Sequence, residues 1–210
     1  MEKKFELTDK FVFNTFGIKL FQIKCTKSFK YAKEGDLGGY VEKDENLDQE
    51  SDAWVSGDAW VSGNAQVSGD AQVSGNARVS GNAWVYGDAR VYGNARVSGN
   101  ARVYGDARVY GNARVSGDAQ VSGDAWVYGD ADIENDNNHC GFDCFGSCNR
   151  HTHAYLTKDN KVEITCGCFR GSIEEFEKKV EKTHSGTIYE KQYKAIINVI
   201  KIKFGLTDLI

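Results

Sequence analysis

From Val55 to Ile133 apolar and polar residues alternate in a six-residue cycle, V-[SY]-G-[ND]-A-x, repeated thirteen times without an insertion. Ala and Val fall at alternate positions, with x and Ser or Tyr between them, which is the period of a strand buried on one face. Each unit therefore reads as a short strand, A-x-V-[SY], ended by a sharp turn at Gly-Asn or Gly-Asp. A four-residue strand cannot bury its own valine, so the pattern predicts a solenoid in which coil stacks on coil. The Val column from Val55 to Val127 and the Ala column from Ala53 to Ala131 would fill its interior, with coils about 4.8 Å apart, the spacing of neighbouring strands.

The cycle has flanks of different character. Residues 1–40 predict an N-terminal β cap, with FVFNTFGIKLFQIKC as a hairpin, because an uncovered solenoid end is an exposed sheet edge. The solenoid domain spans 41–134 and starts irregularly, since Val41 to Leu47 is six residues but Leu47 to Val55 is eight. Residues 135–146 form a Cys-containing junction, and 147–210 a small α+β domain. There HAYLTKDNKVEITCGC predicts a hairpin, while SIEEFEKKVEKTH and YEKQYKAIINVIKIKF space their apolar residues as helices do.

The repeat resembles the hexapeptide-repeat family, in which three hexapeptides make one triangular coil of a left-handed parallel β-helix. That resemblance implies a mainly-β fold and its hand, against the usual right-handed crossover rule. Two flanking segments, GDLGGYVEKDENLDQESDAWVSGDA and GSCNRHTHAY with GCFRGSIEEFEKKVEKTH, resemble the small polymer-forming-like hexapeptide-repeat proteins of phages and prophages, whose C-terminal domain carries a GCFxG motif. The resemblance implies a viral protein working in the host cell cytoplasm, without implying an activity. Acyltransferases also share the repeat, but they use a histidine base, and a base must reach the proton it takes. No histidine occurs before His139, so an acyltransferase-like site has room only at the C-terminal junction, and the chain reads first as a non-enzymatic binding or assembly protein.

Adding eighteen residues places the outward side chains on three faces. One stacks Trp54, Gln72, Arg90, Arg108 and Trp126, with Tyr92, Tyr110 and Tyr128 beside them. Arg and aromatic residues are enriched at interface hot spots, so Arg90, Tyr92, Arg108, Tyr110, Trp126 and Tyr128 are the candidate partner or oligomer interface. The expected homo-oligomer is the trimer usual for the fold; the bland alternative is a solvated Arg–Tyr ladder that only stabilises the sheet. A second face carries Arg78, Arg96 and Arg114 between corners that are mostly Asn. Stacked guanidinium groups suit phosphate or carboxylate, making these three the candidate anion-binding residues. Candidate occupants are a nucleotide, a nucleic-acid backbone, an acidic host protein, or the chain's own helix through Glu174, Glu175, Glu177 and Glu181; the alternative is hydration alone. The third face holds Gln66, Trp84, Arg102 and Gln120, and one corner is all Asp, through Asp70, Asp88, Asp106 and Asp124.

Composition narrows the function classes. The net charge of -4 argues against a general nucleic-acid coat. No apolar run reaches membrane-spanning length, and MEKKFELTDKFVF lacks a signal-peptide core, so no membrane role is expected. Six cysteines without a secretory signal read as reduced thiols or metal ligands. Cys140, Cys144, Cys148, Cys166 and Cys168 with His151 and His153 are numerous enough for a structural zinc site, but their spacings are not those of paired C-x2-C knuckles, and no cofactor is expected. Two uses remain open: an assembly scaffold, and an anti-defence inhibitor or sponge that holds a host protein or a phosphorylated ligand.

Overall fold

The computed structural model describes residues 2–206. The chain opens with β1 (Phe5–Phe13), β2 (Lys19–Cys25) and β3 (Leu37–Val41). Fourteen two-residue strands follow at six-residue steps, from β4 (Trp54–Val55) to β17 (Asp132–Ile133). The C-terminal region comprises β18 (His139–Phe145), β19 (Arg150–Leu156), β20 (Val162–Cys166), β21 (Phe169–Gly171), α1 (Ile173–His184) and α2 (Ile188–Lys203). Cα partners run Arg78 to Arg96 to Arg114, Arg90 to Arg108 to Trp126, and Trp84 to Arg102 to Gln120, all in parallel register. Residue i thus pairs with i+18, and three sheets enclose one interior. The protein is a mainly-β, stacked-coil solenoid followed by a small α+β region. Among the described residues no helix is long and apolar enough to cross a membrane.

The strands are two residues long, x and Val, rather than the four expected. The residues on either side are taken up by the corners. At Gly93 φ is 70°, and a Cβ there would sit 3.1 Å from the amide nitrogen of Gly111 in the next coil. Glycine is therefore required twice over, by conformation and by the close stacking of corners. Hydrogen bonds nevertheless continue around the bend: Arg78 N donates to Ala95 O at 2.9 Å, Ser80 N to Val97 O at 2.9 Å and Asn82 N to Gly99 O at 2.8 Å. The Val and Ala columns are fully buried from Val55 and Ala59 to Val121 and Ala119. At the corners, Asn64, Asn82 and Asn100 form an amide ladder, each donating Nδ2 to the next Oδ1 at 3.2 and 3.0 Å, and the ladder ends on Asp118 at 2.9 Å. Asn76, Asn94 and Asn112 do the same less tightly and end on Asp130 at 3.5 Å.

At the N-terminal end, the Arg78 sheet continues into β3, β2 and β1. Phe5, Ile23 and Cys25 are fully buried and continuous with the solenoid interior. Lys4 Nζ donates to Ser51 O at 2.6 Å and Ala53 O at 2.8 Å, satisfying carbonyls at the start of the first regular strand. The hairpin between β1 and β2 is as expected from the sequence, but its tip projects with Phe13 and Phe16 exposed.

At the C-terminal end the junction is not featureless: His139–Phe145 is a strand, pairing antiparallel with β19, which pairs in turn with β20. Strand alternation gives this sheet two faces. Ala154, Ile164 and Cys166 pack with Phe176, Val180, Ile196 and Ile200 of the helices. Tyr155 and Thr165 instead meet the last coil, where Tyr155 Oη donates to Tyr128 O at 3.4 Å and Thr165 Oγ1 to Trp126 O at 3.1 Å.

The interior predicts a severe core variant. Val91 has no solvent exposure and stacks between Val73 and Val109. Val91→Asp would place an unpaired carboxylate among valines, and the expected loss is about 3–5 kcal/mol, read as a lowered urea midpoint. A midpoint unchanged from the wild type would contradict the buried column.

Candidate ligand-binding surface

The Arg78, Arg96 and Arg114 column lies along one wall of a groove of about 470 Å³, with Asn76, Asn94 and Asn112 beside it and Asp130, Asp132 and Lys158 at its C-terminal end. The +18 register brings the three arginines together as expected. Among the described residues none of them forms an ion pair with a carboxylate. Arg78 instead lies over the Trp60 ring, 5.4 Å from its centroid. Neutralisation is not absent throughout, however. Asp132 follows Arg114 in the ladder, Asp118 ends one Asn column, and Asp130 ends the other while pairing with Lys158 Nζ at 3.3 Å. Unopposed positive charge is therefore concentrated around Arg78 and Arg96. Lys158, on the turn after β19, carried no sequence signal because only the docking of the C-terminal sheet brings it here. Glu174, Glu175, Glu177 and Glu181 do not occupy the groove. Glu175 caps α1 at Ser172 N, Glu177 pairs with Lys201 at 2.6 Å, and Glu181 lies near Lys194.

The face of Arg90, Tyr92, Arg108, Tyr110, Trp126 and Tyr128 has a different geometry. Tyr92 and Tyr110 stack with centroids 4.8 Å apart, and Tyr110 and Tyr128 at 4.7 Å, the rings nearly parallel. Burial in this stack pushes the Tyr110 hydroxyl up to about 12, with its two tyrosine neighbours adding to the effect. Arg108 lies 4.9 Å over Trp126. Both ends of the face are engaged within the chain. Phe29 packs edge-on against the buried Trp54 at 5.4 Å. Arg170 lies 4.4 Å over Tyr128, held by the carboxylate of Glu163. Gly129 makes room for it, since a Cβ there would collide with the guanidinium. Trp126 and Tyr128 are thus partly spent on docking the C-terminal sheet, and the stretch left open runs from Arg90 to Tyr110.

The Cys and His candidates for zinc do not converge. Parity along the strands separates them: Cys140 and Cys166 face the helices, whereas His139, His151 and His153 lie on the solenoid-facing side. Cys144, Cys148 and Cys168 are exposed. No group of three or more His, Cys, Asp or Glu side chains is placed to hold a metal ion among the described residues. The histidines instead form two pairs: His139 Nδ1 lies 2.9 Å from His153 Nε2, and His151 Nδ1 lies 2.5 Å from Asp143 Oδ1. Among the described residues His139 Nε2, His151 Nε2 and His153 Nδ1 are buried without hydrogen-bond partners, Asp136 Oδ1 lying 3.5 Å from the first. Burial lowers the pKa of His139, partly offset by Asp136, and lowers that of His153 well below the ordinary histidine value, with His139 and His151 adding to the effect.

A family model described as the YdcK beta solenoid repeat matches residues 71–87, 83–97, 89–105 and 107–123. All four segments lie within the regular coils, so the similarity supports the β-solenoid fold. No curated protein matches the chain in sequence.

The histidine pair makes stability depend on pH. His139 and His153 bind protons more readily in the unfolded chain, so their contribution is complete above about pH 6.5. It is lost as pH falls below that value toward the lowered folded-state values. The urea midpoint should therefore decline from pH 7.5 to 5, and His153→Gln should make the decline shallower. An equally steep decline in that variant would remove His153 from the account.

Proposed function

We propose that the protein is a non-catalytic binding module whose working surface is the groove beside Arg78, Arg96 and Arg114, and that its partner is a polyanion bearing phosphate or carboxylate groups. The observation that carries this reading is a column of guanidinium groups that, among the described residues, has no carboxylate partner along an open groove. Guanidinium binds oxyanions through paired, charge-assisted hydrogen bonds. Neutral Asn columns beside Arg78 and Arg96 leave that charge available. A non-catalytic role is supported by two of the histidines, His139 and His153, whose ring nitrogens are turned on each other; the third, His151, is held by Asp143 and lines the cavity beside Trp126. The setting proposed for this binding is a host cell cytoplasm, and the coil proposed is left-handed; both rest on the flanking segments' likeness to phage and prophage hexapeptide-repeat proteins. There the module would act as an inhibitor or sponge.

A second reading, assembly into a homo-oligomer such as a trimer, is favoured by the half-exposed Tyr92 and Tyr110 stack between the two covered ends of its face. Self-complementary aromatic strips are rarely left bare on monomers.

For the groove, retention on phosphocellulose is informative because the chain's net charge of -4 opposes binding unless a local patch dominates. Replacing Arg78, Arg96 and Arg114 together by Gln should lower the salt concentration needed for elution and flatten the salt dependence. Each arginine is expected to contribute about 1.5–3 kcal/mol where desolvated and less where hydrated. Thermal stability should change little, since the Val and Ala interior is untouched. Unchanged retention in the triple variant, or equal loss from Arg102→Gln alone, would refute the groove.

For assembly, Tyr92→Glu with Tyr110→Glu should lower the native mass measured by light scattering while leaving the β circular dichroism spectrum intact. A wild-type protein that stays monomeric at high concentration would eliminate this reading.

A further inference from the structure

A second cavity, of about 350 Å³, opens where the C-terminal sheet meets the solenoid, and it shares no residue with the Arg78 groove. Its solenoid wall carries Arg108, Trp126 and the corner residue Asp124; its other wall carries Arg150 at the start of β19 and Gly167 in the turn between β20 and β21. We propose that this joint is a binding site for a nucleoside phosphate.

Each chemical part of such a ligand has a counterpart. Arg108 and Arg150 come from different parts of the fold to the same cavity, and among the described residues neither is paired with a carboxylate. Two guanidinium groups on opposite walls suit a phosphate group, which accepts several charge-assisted hydrogen bonds at once. The Trp126 indole is half-buried, and its backbone carbonyl receives the Thr165 hydroxyl at 3.1 Å, so the strand that carries it is fixed. Arg108 lies 4.9 Å over this indole, so an entering base stacks on the ring in exchange for that contact and leaves the guanidinium to turn to the phosphate. Asp124 bears an exposed carboxylate that repels a bare anion but accepts hydrogen bonds from ribose hydroxyls, as acidic residues do in dinucleotide sites. With two guanidinium groups and one carboxylate on its walls, and the Asp143-bound His151 beside them, the cavity suits a phosphate that carries hydroxyl donors and a ring better than inorganic phosphate. Its volume lies in the range of small-molecule sites.

The turn beside the cavity leaves room for Arg150. Gly167 has φ of 57°, which favours glycine in this turn, and the Arg150 guanidinium lies across it, with Nη1 2.6 Å from where a Cβ would be. The next residue, His151, is held by Asp143 at 2.5 Å, which anchors the start of the strand.

The test is calorimetric titration of the full-length protein with ADP, pyrophosphate and adenosine separately. ADP should saturate one site per chain, with pyrophosphate and adenosine each binding at least tenfold more weakly. Arg150→Gln and Arg108→Gln should each weaken ADP binding at least tenfold with the circular dichroism spectrum unchanged, and Asp124→Asn should narrow the preference for ADP over pyrophosphate. The triple Gln variant at Arg78, Arg96 and Arg114 should bind ADP like the wild type, so this site stands or falls apart from the groove. No saturable ADP binding, equal affinity for ADP and pyrophosphate, unaltered ADP binding in Arg150→Gln, or loss of ADP binding in the triple variant would overturn the proposal.

Discussion

Coil-to-coil hydrogen bonding in an eighteen-residue register is the constraint on which everything else depends. Once Arg78 N is committed to Ala95 O, and Asn82 N to Gly99 O, each side chain is stacked on the residue eighteen places away. The valines and alanines then have nowhere to go but the interior, and no outward residue can choose its neighbours independently. Like therefore lies on like: Arg on Arg, Tyr on Tyr, Asn on Asn. Stacked amides donate to one another and stacked tyrosines share their faces, so those columns are self-satisfying. Stacked arginines are not. They must find aromatic rings, water or an external anion, and the architecture that makes the coil stable also creates its unmet binding capacity.

The ends of the solenoid resolve this conflict locally. Lys4 satisfies free carbonyls near the first regular strand, and Phe29 covers Trp54. At the other end a sheet with one polar face docks through Tyr155, Thr165 and the stacked Arg170. A polar joint is less permanent than an apolar one because its buried groups must keep their partners, and the three unpartnered histidine nitrogens mark where that requirement is incompletely met. The same docking takes Trp126 and Tyr128 out of the open aromatic strip and encloses a cavity beside it. One contact thus removes surface from one candidate interface and creates another.

The repeat was legible because its period is an integer and its insertions are absent, which let the three faces be assigned from residue numbers alone. Strand length was not, since Ala and Ser or Tyr are apolar or small enough for a strand but are used by corners that stack glycine on glycine. The strand His139–Phe145 was missed because its alternation is interrupted by Gly141, Asp143 and Cys144, the last with φ of 62°. Separation of the cysteines from the histidines follows from parity once that strand and β19 are known to pair, but the pairing itself is a long-range fact. Lys158, Arg150 and Arg170 were invisible for the same reason: each acts on the solenoid only through the docking of a distant sheet.

The claim at the centre of this account is that Arg78, Arg96 and Arg114 act together as one anion-binding column, distinct from the other arginines of the coil. Side-chain Nε–H resonances, followed by NMR during titration with a short polyphosphate, test it most directly. The account predicts that these three resonances move along a single shared binding curve while that of Arg102 stays in place. Uniform, unsaturable shifts across all the solenoid arginines would contradict it.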